Sequence, residues 1–179
     1  MMAADTSDWD VFCKKLNAFD VSKHQFYRNA AHRMAGELLA DVIPNTPTGV
    51  YPSSSGKKGG TLKRGWVAKS HKAAAKNPGT PTKAEQDEYV NKLPVRHKGM
   101  TYETTVTNPV EYASYVEFGH RTRRRKSLVN ANGNAQKRRG WVPGQYMMQD
   151  AVERVKSREY KILNSLLDEW IKREVDNVE

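Results

Sequence analysis

Apolar side chains recur at i, i+3, i+4 and i+7 in Trp9, Phe12, Cys13 and Leu16, which predicts a short amphipathic helix near the start of the chain. Ser22 and Gln25 have the spacing of a capping box and predict the opening of a second helix. Its stripe runs Phe26, Ala30, Met34, Leu38 and Val42, and Pro44 is read as its stop. Gly36, inside this helix, costs roughly 1 kcal/mol relative to Ala and suggests a close packing contact. Cys13 lies on the apolar stripe, so it reads as a small core residue rather than a reactive thiol.

The periodicity then lapses. "PNTPTGVYPSSSGKKGGTLKRGW" is rich in Pro, Gly, Ser and Lys and predicts a mobile loop. Its glycines and lysines lack the spacing of a phosphate-binding loop, and no helix-forming run follows them. "GWVAKSH" reads as a short strand, and 72–83 as an irregular basic connection. "MTYETTVT" alternates cleanly, with Met100, Tyr102, Thr104 and Val106 on one face, and predicts a half-buried strand. Its expected partner is "EYVNKLPV", joined through a turn around His97–Gly99, with Pro94 marking an edge.

"NPVEYASYVEFGH" predicts a compact helix with Asn108 as N-cap, Pro109 at the first helical position and Gly119 just past the end. Tyr112, Tyr115, Val116 and Phe118 would supply its apolar surface. "WVPGQYMM" is read as the entry to a long final helix. Its inner side carries Met148, Val152, Val155, Leu163, Leu166, Leu167, Trp170 and Ile171. Helices, then a few antiparallel strands, then helices indicate an α+β fold. The expected architecture is a small antiparallel or mixed sheet packed by the N-terminal helices, a short central helix and a long C-terminal helix. It forms a single domain over 1–179, with flexible basic loops near 46–62, 72–84 and 120–140.

Composition changes this picture through its charge. The chain has 30 Lys and Arg against 20 Asp and Glu, a formal net charge of +10. No Asp or Glu occurs over 42–84 or over 118–149, and each stretch carries eight Lys or Arg. The rest of the chain is net acidic, so the basicity is segregated and suggests an electrostatic surface. The candidate DNA- or partner-contact residues are Lys57, Lys58, Lys63 and Arg64 in the first stretch. In the second they are Arg121, Arg123, Arg124, Arg125, Lys126, Lys137, Arg138 and Arg139. No aromatic lies within 121–139, which argues against base stacking there but not against phosphate contact. A solvated loop is the competing reading of any such charge run.

Catalytic signals are absent from the sequence. The five histidines, His24, His32, His71, His97 and His120, are scattered, with no H-E-x-x-H pattern and no G-x-S-x-G elbow. Glu117 near His120 suggests an acid–base pair, but helix-end capping and surface pairing explain the two more simply. A single cysteine excludes an internal disulfide and a cysteine-rich zinc site. No cofactor is expected. No run approaches the ~20 apolar residues of a membrane helix. "MMAADTSDWD" has neither a basic n-region nor an apolar h-region, so no signal peptide is expected.

Four blocks carry a family likeness: "PNTPTG" at 44–49, "LKRGW" at 62–66, "TVTNPVEYASYVEFGHRT" at 105–122 and "WVPGQYMMQDAV" at 141–152. In order and spacing they resemble the tail-completion, or head–tail joining, proteins of long-tailed double-stranded DNA bacteriophages, over roughly residues 22–170. "LKRGW" would there be the entry to a strand. The motif residues are Asn108, Tyr112, Glu117, Gly119, Trp141 and Pro143. "VYPSSSGKKGG" is an insertion relative to the family pattern.

The resemblance implies a non-enzymatic virion component of the neck, made in the host cytoplasm and assembled into a ring, often six-fold. It implies head-connector and tail-tube proteins as partners, with double-stranded DNA passing through the lumen. The basic loops would then line the channel or dock onto acidic neighbours. An adhesive lumen would impede genome ejection, which favours docking for at least one of them. The alternative, from charge alone, is a stand-alone, sequence-nonspecific nucleic-acid-binding protein.

Overall fold

The computed structural model of the chain describes residues 7–122, 128–129, 135–136 and 140–176, with side chains described over 22–122 and 140–173. The N-terminal region is one continuous helix, α1 (Ser7–Asn45), not two. Ser22 lies inside it, and its hydroxyl accepts the Trp170 indole N–H at 2.7 Å rather than capping a second helix. No Gly or Pro stands between Leu16 and His24 to break the run. Trp9, Phe12, Cys13 and Leu16 belong to α1, but their side chains lie outside the described ones.

Pro44 falls within the last turn of α1 instead of ending it one residue earlier. The terminal carbonyls that a helix end leaves unbonded find side-chain donors. Asn45 donates to Asp41 O at 2.7 Å, Thr46 Oγ1 to Val42 O at 2.7 Å, and Lys63 Nζ to Pro44 O at 3.4 Å.

Most of 46–60 is irregular, as expected of a loop, but the stretch beyond it holds helices and no strand before residue 96. After a single 3-10 turn at Ser53–Ser55 come α2 (Thr61–Gly65), α3 (His71–Lys76) and α4 (Lys83–Asn91). "LKRGW" is therefore a helix and its exit, and "GWVAKSH" forms no strand. The connection 72–83 begins inside α3, capped by Ser70 Oγ accepting from Ala73 N at 3.2 Å. "EYVN" closes α4, which opens on a reciprocal Thr82–Glu85 capping box.

The strands form separate two-stranded antiparallel ladders rather than one sheet. β1 (Arg96–Lys98) pairs with β2 (Thr101–Glu103) across a turn at Gly99 and Met100. The expected partner "EYVNKLPV" is instead the end of α4 and its exit through Pro94, and the paired strand is the three residues that follow it. The alternation over 101–107 holds, with Tyr102, Thr104 and Val106 half-buried and their neighbours exposed. β3 (Gly119–Arg121) pairs with β6 (Trp141–Pro143), and β4 (Leu128–Val129) with β5 (Ala135–Gln136) nested inside it.

Two helices complete the frame, α5 (Ala113–Phe118) and α6 (Met147–Asp176). The core gathers Ala35, Leu39, Val42 and Ile43 of α1 with Leu62, Trp66, Ala74, Val90, Val110, Met147 and Ala151. Each large aliphatic side chain buried there contributes about 1.5–3 kcal/mol. The predicted stripe of α1 is thus only one edge of its buried face. Phe26 instead packs on Trp170 of α6, ring centroids 5.4 Å apart. Asp41 joins the same pair of helices, accepting from Arg154 Nε at 3.3 Å and also pairing with Arg158.

Candidate functional site

The family-like blocks, far apart in sequence, are tied together by buried polar contacts. Thr46 is buried, and its Oγ1 accepts the indole N–H of buried Trp66 at 2.7 Å while donating to Val42 O. That joins "PNTPTG" to "LKRGW" and both to the end of α1.

"LKRGW" is joined in turn to the 105–122 block. Asn108 donates from Nδ2 to Leu62 O at 2.9 Å and accepts from Val110 N at 3.1 Å. Its side chain lies directly over Gly65, where an added Cβ would collide with Asn108 Oδ1 and come within 2.7 Å of Val110 Cγ2. Asn108 therefore makes an Asx turn and an inter-segment bond. It is not the N-cap of α5, which begins five residues later.

The third tie joins the 105–122 block to the 141–152 block. Glu117 is buried, and its carboxylate oxygens accept from Met148 N at 3.0 Å and Gln149 N at 3.1 Å. Tyr146, the residue just before α6, is not one of the short polar residues that cap a helix, and the cap comes from α5. A negative group at the positive end of a helix is favourable in addition to its hydrogen bonds. Backbone bonds brace the same joint: Gln145 N to Val116 O at 2.8 Å and Tyr146 N to Glu117 O at 3.1 Å.

"WVP" does not open the helix. It is β6, with Pro143 opposite Gly119 and Trp141 opposite Arg121. Gly119 has φ 80° with ψ 171°, so it leads into β3 instead of taking the left-handed helical turn expected after α5. A Cβ there would meet Gly144 N at 2.7 Å and Trp141 Cζ2 at 2.9 Å. The expected apolar surface of α5 is largely inverted, since Tyr115 and Phe118 are 58% and 61% exposed while Glu117 is buried.

The basic candidates divide. Lys57 and Lys58 are exposed in the connection leading to α2, and Arg121 is exposed in β3. Lys63 reaches Pro44 O, and Arg64 is bound to Glu85 Oε1 at 2.7 Å with little exposure, so both are engaged within the frame. Arg123, Arg124, Arg125, Lys126, Lys137, Arg138 and Arg139 lie outside the described residues.

Glu117 and His120 form no acid–base pair, because both carboxylate oxygens serve α6. His24 Nδ1 meets the Tyr102 hydroxyl, and His32 Nε2 lies 3.0 Å from Leu93 O. Among the described residues no group of three or more His, Cys, Asp or Glu is placed to hold a metal ion.

Beside these ties is a concavity of about 280 Å³ that the sequence did not disclose. Tyr51, Lys58, Tyr112, Tyr115, His120 and Val142 are among its walls. The rings of Tyr115 and His120 are 5.8 Å apart. Burial, then the neighbouring Tyr51, raises the Tyr112 phenol above its ordinary range, against a hydrogen bond with Thr61. One wall depends on glycine: a Cβ on Gly59 would strike Gly49 O, so 50–58 is an excursion whose two ends touch.

The motif residues thus brace helices against one another and converge on no reacting geometry among the described residues. Residues 10–119, more than half of the chain, match the family model described as "Bacteriophage HK97-gp10, putative tail-component". The chain belongs to this bacteriophage tail-component family. The match ends at Gly119, so the basic 121–139 stretch and α6 lie beyond it. No curated protein and no solved structure matches the chain. Among the described residues no helix is long and apolar enough to cross a membrane.

Proposed function

We propose that the chain is a neck component of the virion, a tail-completion or head–tail joining protein. In this reading identical subunits close into a ring between the head connector and the tail tube, and the genome passes through it. The observation that supports it is the membership of a phage tail-component family, with its motif blocks tied into one frame. A closed ring brings equivalent loops around one axis, so the 121–139 charges would be multiplied by the number of subunits.

Native mass spectrometry of the purified protein, with immunogold labelling of virions, tests the reading. A closed oligomer and label at the head–tail joint are expected. A protein that stays monomeric at every concentration and is missing from mature virions overturns it. A stand-alone nucleic-acid-binding role draws on the charge segregation alone. It requires duplex binding by the monomer that weakens steeply with salt, and no retention of DNA at low salt removes it.

A further inference from the structure

The two carboxylate-free stretches, 42–84 and 118–149, meet in space at the concavity beside α5. Apart from Tyr112, just before α5, and Tyr115 and Val116 within it, every described residue lining it comes from one of those two stretches. Among the described residues its walls therefore carry no carboxylate, and Lys58 is their one permanently charged residue. Lys57, next along the chain, is exposed as well. Glu111, adjacent to Tyr112 in sequence, faces His71 Nδ1 at 3.6 Å.

The chemistry of the walls is specific. Tyr51 and Tyr115 are about half exposed, and Tyr112 and Val142 about two-fifths exposed, so apolar surface is left uncovered around a recess. His120 Nδ1 is buried and has no hydrogen-bond partner among the described residues. The larger groove between α1 and α6, about 1060 Å³, contrasts with it. Glu103 and Glu159 line that groove beside Lys156, so it offers no single sign of charge.

We propose that the concavity docks an acidic segment of another virion protein, one carrying a large aromatic or aliphatic side chain flanked by carboxylates. The side chain enters between the tyrosines, and the carboxylates meet Lys58 and Lys57. Aromatic residues in a recess with a charged rim are the usual anchors of protein interfaces. Duplex DNA is the poorer occupant, because it presents phosphates and no projecting apolar group. Naming the source a virion protein rests on the neck reading; the chemistry of the recess does not.

The experiment is fluorescence anisotropy with the full chain and labelled short peptides. One peptide is Asp- and Glu-rich with a central Trp, the second has Gly for the Trp, and a short duplex is the third probe. The Trp peptide is expected to bind saturably, and to weaken by about tenfold or more with Lys58→Glu, with Tyr115→Ala or on loss of its Trp. Tyr160→Ala, an exposed aromatic on α6, leaves its affinity unchanged.

Equal binding of the two peptides, or indifference of the Trp peptide to both Lys58→Glu and Tyr115→Ala, overturns the assignment. So does a duplex affinity that falls with Tyr115→Ala as the peptide's does. Native mass spectra of the unmodified chain separate the two readings. A ring that fails to bind the Trp peptide rejects the docking site alone, and peptide binding by a chain that forms no ring rejects the neck reading alone.

Discussion

The side chain of Asn108 occupies the space that a β-carbon on Gly65 would need. The glycine and the asparagine come from different motif blocks, so each explains the other. Gly65→Ala is expected to destabilise the protein by about 1–3 kcal/mol through overpacking. Asn108→Ala leaves Leu62 O without its donor and costs a similar amount. The double variant should be less destabilised than the sum of the two, because removing Asn108 makes room for the new methyl group. Strict additivity in chemical denaturation would contradict the contact.

Glu117→Ala is expected to lower stability by about 1–3 kcal/mol, since two part-buried amides of α6 lose their acceptor together. Glu117→Gln keeps one oxygen and should recover part of the loss. Denaturation midpoints of the three proteins provide the measurement. Midpoints within error of one another would show that α6 starts without help from α5.

Thr46→Val keeps the shape of a residue whose hydroxyl serves both Trp66 and the end of α1. A loss of about 1–3 kcal/mol is expected, because the indole N–H stays buried without an acceptor. Thr46→Ser keeps the hydroxyl and should lose less. A Val variant as stable as the wild type would show that this bond contributes nothing.

Glu85 gives the frame a dependence on acid. Its carboxyl is held below the ordinary value of 4.5, first by the Thr82 backbone N–H and then by Arg64. A lowered folded-state value means stability that is present above about 4.5 and lost as the pH falls through the lower value. The wild type should therefore melt above Glu85→Gln near neutral pH, and the gap should close as the solution is acidified. A gap that stays constant below pH ~4 would contradict the linkage.

The ties between the motif blocks run through Thr46, Asn108 and Glu117, while Arg123, Arg124 and Arg125 lie outside the described residues. Replacing all three with Ser should shift stability by no more than about 0.5 kcal/mol, while impairing assembly or DNA contact. A large fall in melting temperature of the isolated protein would contradict this.

The long helices were legible from their 3.6-residue period, and the three-residue strand β2 from its alternation. What escaped was set by distance or brevity. α2 and α3 are five and six residues long, too short to display a period, so "LKRGW" read as a strand. The Thr82–Glu85 box stands in the sequence as T-x-x-E, but the strand-like composition of "EYVNKLPV" after it hides the helix it opens. Glu117 was singled out, yet a charged residue on a short helix reads as exposed. Its burial follows from amides about thirty residues further on. The tyrosine-lined recess draws on segments around residues 50, 115 and 142, which no local pattern connects.

The contact between Gly49 and Gly59 has a practical consequence. Because the excursion over 50–58 begins and ends at one point, its length is uncoupled from the geometry of the frame. Residues 53–55 are exposed and could accept a tag or heavy-atom label. The chain thus carries its own attachment point for an imaging marker, placed where the marker disturbs neither helix pairing nor the motif ties.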